Sequence, residues 1–389
     1  MQKKITLPKI KWKYYLIYLI IASLALIFTL MTLGGGIKPS NLYLLEKITM
    51  NITLAVSLSL VVGFLGELSL GHAGFMCVGA YFGGICALII DRSGLALGNG
   101  VLSFIISALV GALFAGACGF IIGLPALRLR GDYLAIVTLA FGEIVRTVFE
   151  NVSFKIGDTT VGGPIGIRTP RFDKQYLFII GFIIVLITLA VIQNLIRSKH
   201  GRAITAIRDN EIAARATGIN VTKYKLIGFV ISAIFAGIAG VMYSFANSNV
   251  SSSMFDYNKS IEILVMVVLG GMGNIAGSII SATFITFLDV RLQSVLTGDL
   301  AVLSDIIYAL ILIIVVIYTN SPSLSRFRER YNAKRLASHL LTFFKNKHGY
   351  VDDEGKWDRV PTKIDMDEVL SVDINVNESV QKSVKKEKK

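Results

Sequence analysis

Glu143 and Arg146 stand three residues apart in an otherwise apolar stretch. On a helix that spacing puts both side chains on one face, where a carboxylate and a guanidinium can pair. Ionisable groups are costly in lipid, so they face other helices or a water-filled path. The two are read as a structural ion pair, with direct contact to a solute as the alternative. Glu67 and His72 bracket a short break, ELSLGH, between two apolar runs, and there the choice is between a capped helical hairpin and a gate. Asp289 stands beside Arg291 at the end of another run. Covalent chemistry has less to work with. The sequence carries no P-loop, no nucleophile with a supporting base and no His/Cys/Asp/Glu set at metal-ligand spacing, so no enzyme, metal or other cofactor is expected. Cys77, Cys86 and Cys118 fall inside apolar runs and are read as small packing residues.

Glycine supplies the remaining candidates. Gly271, Gly273 and Ala276 follow an apolar run and imitate a dinucleotide-binding fingerprint, with Asp289 downstream. No βαβ unit accompanies them and the flanks are membrane-like, so the nucleotide reading is set aside. The same residues interrupt a hydrophobic segment. IEILVMVVL runs for only nine residues before Gly270, Gly271, Gly273 and Asn274 break it. Irregular backbone at membrane depth is tolerated only where it is buried in protein or lines a cavity. Broken helices are also where transporters bind solutes. These four residues, with His72, Glu143 and Arg146, form the candidate pathway or gate.

The elements that must position these residues are apolar helices. Over 389 residues, 53% are hydrophobic and the mean hydropathy is +0.65, which excludes an ordinary soluble chain. Runs near 14–33, 48–66, 74–90, 101–124, 133–149, 176–196, 226–246, 261–290 (interrupted) and 301–319 approach the ~20 residues that cross a bilayer. The fold class is thus an all-α polytopic membrane protein, a bundle of about nine to ten membrane-spanning helices with a broken or re-entrant element near 261–290. Small residues recur every fourth position at Gly79, Gly83 and Ala87, at Gly111, Ala115, Gly119 and Gly123, and at Ser232, Ala236, Gly240 and Ser244, which lets backbones approach closely.

Charge orients the bundle. The net charge of +13 could suggest nucleic acid, but the basic residues cluster at the N-terminus, in 197–225 and in the tail. That is how charge distributes around membrane spans, so no nucleic-acid partner is expected. The five lysines before Tyr14 place the N-terminus in the cytoplasm ahead of an uncleaved first span. The basic run SRFRERYNAKR places the C-terminus there too, which requires an even number of passes and hence two elements in 261–290. Residues 1–13 are thus a basic cytoplasmic N-terminus and 14–319 the transmembrane domain. Residues 320–389 are read as a cytoplasmic tail. It opens with an amphipathic stretch (Leu324, Phe327, Tyr331, Leu336, Leu340 and Phe343 among basic residues) that suits the lipid surface, and beyond Gly349 it lacks the pattern to fold. The loop 150–175 carries VGGPIGI, read either as a tight turn or as part of a docking surface or vestibule.

The longest polar interval is 200–226, with seven Lys/Arg against two acids from Arg197 to Lys225. It reads as a short capped helix on the cytoplasmic side: Asp209 as N-cap, Glu211 in the first turn, Arg215 in the last, and Gly218 just past the end. Such a helix suits a partner surface, with a solvated connecting loop as the alternative.

Five segments occur in a telling order: LSLGHAGF (68–75), LRGDYLAIVTLAFGEIVR (129–146), VGGPIGI (161–167), GRAITAIRDNEIAARATGIN (201–220) and LGGMGNIAG (269–277). Together, over roughly residues 45–320, the chain resembles the membrane permeases of branched-chain amino acid ABC importers, of the LivM type. The resemblance implies a related second permease, two cytoplasmic ATP-binding subunits and an extracytoplasmic solute-binding protein. It also implies that 201–220 docks in the ATPase cleft. Importer permeases share the pattern E-A-A-x-x-x-G there. Ala213, Ala214 and Gly218 fit it, while Ile212 holds the Glu position and Glu211 is displaced by one. The implied activity is solute translocation by alternating access, for a branched-chain or similar small amino acid. Other small solutes (urea, an amide, a nucleoside), a stand-alone secondary transporter and a membrane scaffold are the alternatives.

Overall fold

The computed structural model describes residues 39–93, 100–129, 131–156, 159–169, 174–247 and 249–295, with positions 23, 29, 306–311, 313 and 317. The expected first span at 14–33, most of the last at 301–319, and the tail beyond 320 lie outside the described residues.

Helix α1 (Pro39–Ser59) continues into a π-turn, Leu60–Leu65, and stops at Gly66 in the left-handed conformation. It begins nine positions before the expected boundary at 48. Polar residues such as Glu46 and Lys47 look like a span end in sequence, but here they are buried in the bundle. Helix α2 (His72–Arg92) follows the short break, then α3 (Val101–Ala126) and α4 (Asp132–Asn151). Strands β1 (Ser153–Ile156) and β2 (Thr159–Gly162) form an antiparallel hairpin where the sequence suggested only loop. VGGPIGI then turns tightly, and Ile167 bridges to Val250. Helix α5 (Lys174–Arg197) leads into the polar interval, which holds α6 (Lys199–Asp209) and α7 (Glu211–Ala216). Helices α8 (Val221–Ala246), α9 (Tyr257–Gly270) and α10 (Ile275–Val295) follow.

Six of these elements are long and apolar enough to cross a membrane: α1 with its π-turn, α2, α3, α5, α8 and α10. Helix α4 matches the expected span at 133–149 but carries Asp132, Glu143, Arg146 and Glu150. Helix α9 has 14 residues and reaches about 21 Å, short of the ~30 Å hydrocarbon layer. It turns back into α10 at the glycine break, which confirms two elements in 261–290.

Helix α1 lies at the centre. Its apolar window is 89% buried against 28% for α3 and for α10, so it touches protein nearly all round while α3 and α10 keep an outer face. It packs on α5, α8, α9 and α10, while α2, α3 and α8 form a close trio. The small-residue stripes make that trio. A β-carbon on Gly79 would collide with the backbone of Gly237, and one on Gly240 with the Met76 carbonyl. A β-carbon on Gly119 would stand 2.6 Å from the Ala233 β-carbon. In lipid no hydrophobic driving force pulls helices together, so this backbone approach and a few polar links hold the bundle. The links on α1 run from Asn51 to Thr286 (2.8 Å), from Lys47 to Asp289 (2.8 Å) and from Ser57 to His72 (2.8 Å).

Candidate functional site

The polar interval folds into two helices, each with its own cap. Ser198 caps α6, its hydroxyl accepting from the backbone N–H groups of His200 and Gly201. The cap of α7 is Asn210 rather than Asp209. Asn210 has extended backbone (φ −158°, ψ 104°) and its side chain accepts from Ala213 N–H at 3.0 Å, whereas Asp209 is the last residue of α6. The two residues compete for the same role by type, and only the backbone turn at Asn210 frees a side chain to reach back. At the far end Gly218 adopts φ +84°, and Ile219 N–H bonds to Ala214 C=O at 3.1 Å, closing a Schellman-type stop. Asn220 then caps α8 through Lys223 N–H at 3.1 Å.

This short helix has an inner and an outer face. Ala214 is buried, packed with Ile207, Val221 and Ile219. Its small size therefore suits the permease's own packing. Glu211 also turns inward, to Lys225 Nζ at 3.2 Å, and accepts from Arg215 at 2.9 Å. What stands out is Ile212, 75% exposed, with Ala213 and Arg215 beside it.

The candidate gate lies against this module. Arg208, near the end of α6, donates from Nη1 to the Gly63 carbonyl at 2.9 Å, inside the π-turn of α1. Gly63 in turn abuts the backbone of Gly273. Gly271 and Gly273 hold φ values of +87° and +83°, a conformation that L side chains rarely adopt, and Asn274 N–H closes the turn on Gly271 C=O at 3.0 Å. Gly270 packs directly on Gly277, so α9 and α10 meet backbone to backbone. His72, the first residue of α2, is buried in its bond to Ser57.

Glu143 and Arg146 do pair, Nε to Oε2 at 2.8 Å, and Arg146 also reaches Glu150 at 2.6 Å. The side chains are 25–41% exposed, so this is a half-open ladder rather than a buried pair. Because Arg146 keeps Glu150, Glu143→Gln is expected to cost only about 0–1 kcal/mol of stability. Denaturation of the purified variant in detergent checks this, and a loss several times larger would mean that Glu143 is buried against a partner.

Sequence reasoning missed Lys225, Arg208 and Asn210. Lys225 was counted as loop charge, yet it lies in α8, is buried, and forms a close ion pair with Glu67. One signal was available: Glu67 and Lys225 are opposite charges at the ends of two spans that must finish on the same side.

Fold and site together define the class, a multi-pass all-α membrane protein with a broken hairpin in its bundle and a capped polar projection at one end. Comparison with known proteins gives the family. A family profile described as "Branched-chain amino acid transport system / permease component" matches residues 40–316. The high-affinity branched-chain amino acid transport system permease protein LivM of Salmonella typhimurium is 33% identical over 309 residues, covering 71% of this chain and 67% of the relative. LivM of Escherichia coli is 33% identical over 305 residues, covering 70% and 67%. The ribose import permease protein RbsC of Escherichia coli is 29% identical over 317 residues, covering 77% and 92%. No solved structure matches. The chain belongs to the family of branched-chain amino acid transport permeases.

Proposed function

We propose that this chain is the translocation subunit of an ATP-driven importer for branched-chain or similar small amino acids. In this reading it pairs with a related second permease, receives solute from an extracytoplasmic binding protein and is driven by two cytoplasmic ATP-binding subunits. Both termini and the 197–225 interval lie on the cytoplasmic side. The observation that carries the reading is the outer face of α7: a large apolar side chain, Ile212, held at 75% exposure on a helix fixed at both ends. Held rigidly, such a residue loses little conformational freedom when a cleft closes on it. The half-exposed ladder on α4 supports the second permease, because charges at membrane depth require protein or water beside them.

Ile212→Asp tests the docking. It should leave the bundle folded, since the side chain faces solvent, and weaken co-purification of the ATP-binding subunit roughly tenfold or more, as loss of an interface anchor does. Undiminished co-purification would overturn the docking reading.

The match to RbsC, named for ribose import, covers 77% of this chain, so another small solute is the second reading. Competition of labelled leucine uptake by unlabelled amino acids, ribose, urea and nucleosides separates the two.

A further inference from the structure

The exposed helix α7 is short, six residues between the non-helical turns at Asn210 and Gly218. If a partner moves it, the movement has to reach the membrane bundle by some path. Both covalent connections pass through a turn. The side chains offer a more direct path.

Two cations run from this module to the same place. Lys225 lies one turn into α8, and its ammonium is shared between Glu211 on α7, at 3.2 Å, and Glu67, just beyond the π-turn of α1. Its side chain is 4% exposed, which makes the shared contact a fixed one rather than a surface pairing. Arg208, two residues before Asn210, reaches the π-turn itself through the Gly63 carbonyl. Its stem lies along Gly66, where a β-carbon would stand 2.6 Å from the Arg208 Cγ. The guanidinium also lies beside Gly273: a β-carbon there would be 3.5 Å from Nη1. One guanidinium thus bonds to the end of the central helix and lies beside the break between α9 and α10. Asp209 holds it from the outer side, at 3.2 Å.

We propose that Lys225, through Glu211 on α7, and Arg208, on the adjoining end of α6, are positioning residues that tie the α6–α7 module to the π-turn of α1 and to the glycine break at 270–274, so that displacement of the module is delivered to the break through side chains. The proposal rests on the reading that α7 is the docking helix. Single-turn π segments interrupt regular helix geometry and are frequent at functional sites. The Gly63–Gly273 contact has no side chain on either partner, so the two backbones can slide without a rotamer having to move. A tether that ends there acts on a joint made of backbone alone.

The test separates this tether from simple stability and from docking. Glu211→Gln cuts the α7 arm while leaving the buried Lys225–Glu67 pair intact. Arg208→Gln removes the second arm from a residue that is 40% exposed, and leaves no buried charge behind. The first measurement is solute transported per ATP hydrolysed by the full complex in proteoliposomes, a ratio that does not depend on how much ATPase is bound. Each variant should lower it about tenfold, a coupling loss in the ordinary range, and Arg208→Lys should restore most of the loss.

The second measurement uses the permease alone in inside-out vesicles: the rate at which a maleimide labels Met272→Cys, a position 66% exposed at the break. Glu211 pairs with Lys225 and Arg215, at a remove from the break, so a severalfold change in labelling in Glu211→Gln reads the tether itself. Unchanged transport ratio together with unchanged labelling in both variants overturns the proposal. If the parent permease retains no ATPase but labelling still responds to Glu211→Gln, the docking reading falls and the tether stands. No response in labelling there overturns the tether as well.

Discussion

Lys225→Met is expected to destabilise the folded bundle by about 3–5 kcal/mol, because it strands the Glu67 carboxylate in a buried site. Lys225 is 3% exposed and Glu67 8%, so water cannot take over the lost charge partner. Methionine keeps the length and the packing of the lysine stem, which confines the change to the charge. Lys225→Met combined with Glu67→Leu should cost clearly less than the sum of the two single changes, since no lone charge is then buried. Unfolding of the four proteins in mixed micelles with increasing SDS measures the cycle. If Lys225→Met alone is as stable as the parent, the pair is solvated and the network around α7 is not buried.

The second large effect is steric. Gly79→Ala adds one carbon, and that carbon would overlap the Gly237 carbonyl and Cα where α2 crosses α8. Backbone cannot rotate aside as a side chain can, so the helices must separate along the crossing. The cost is expected at about 3 kcal/mol or more, the upper range for overpacking, with little monodisperse protein recovered in detergent. Gly218→Ala makes the matched control. Nothing lies within 4 Å of its added carbon, and only the left-handed backbone (φ +84°) is strained. That should cost about 1 kcal/mol. Equal losses from the two substitutions would show that backbone strain, rather than helix approach, governs these glycines.

Much of the architecture was readable because lipid simplifies the code. Apolar length located α2, α3, α5, α8 and α10 to within a few residues, and the four-residue stripes picked out the faces of α2, α3 and α8 that pack together. The glycine break was legible as well, because nine residues, Glu262 among them, are too few to cross and Gly-Gly-x-Gly readily breaks a helix. What hydropathy could not show was polarity turned inward. Glu46, Lys47 and Asn51 on α1 read as the edge of a span, and Lys225 reads as loop charge, because a window average cannot distinguish a polar group facing water from one facing a partner 158 or 242 residues away. The candidate site suffered from the same blindness. Glu211, Arg215 and Gly218 could be assigned from helix-end chemistry, but whether Ala214 or Ile212 faced outward depended on α8, which begins earlier than its apolar run. Asp209 and Asn210 are equally good caps by type, and local sequence does not choose between them.

The central position of α1 bears on how the chain is made. A helix that carries Lys47 and Asn51 is poorly suited to sit alone in lipid, and the groups that satisfy those residues, Asp289 and Thr286, lie 242 and 235 residues further along. At ~5–20 residues per second of synthesis, Lys47 waits on the order of 10–50 s for its counter-ion to emerge. During that interval the nascent helix has to be sheltered by the insertion machinery or by a neighbouring chain. The segment made first among the described helices is therefore among the last to be completed. A chain that stops before α10 lacks Asp289 and Thr286, and Lys47 and Asn51 are then left without these two partners.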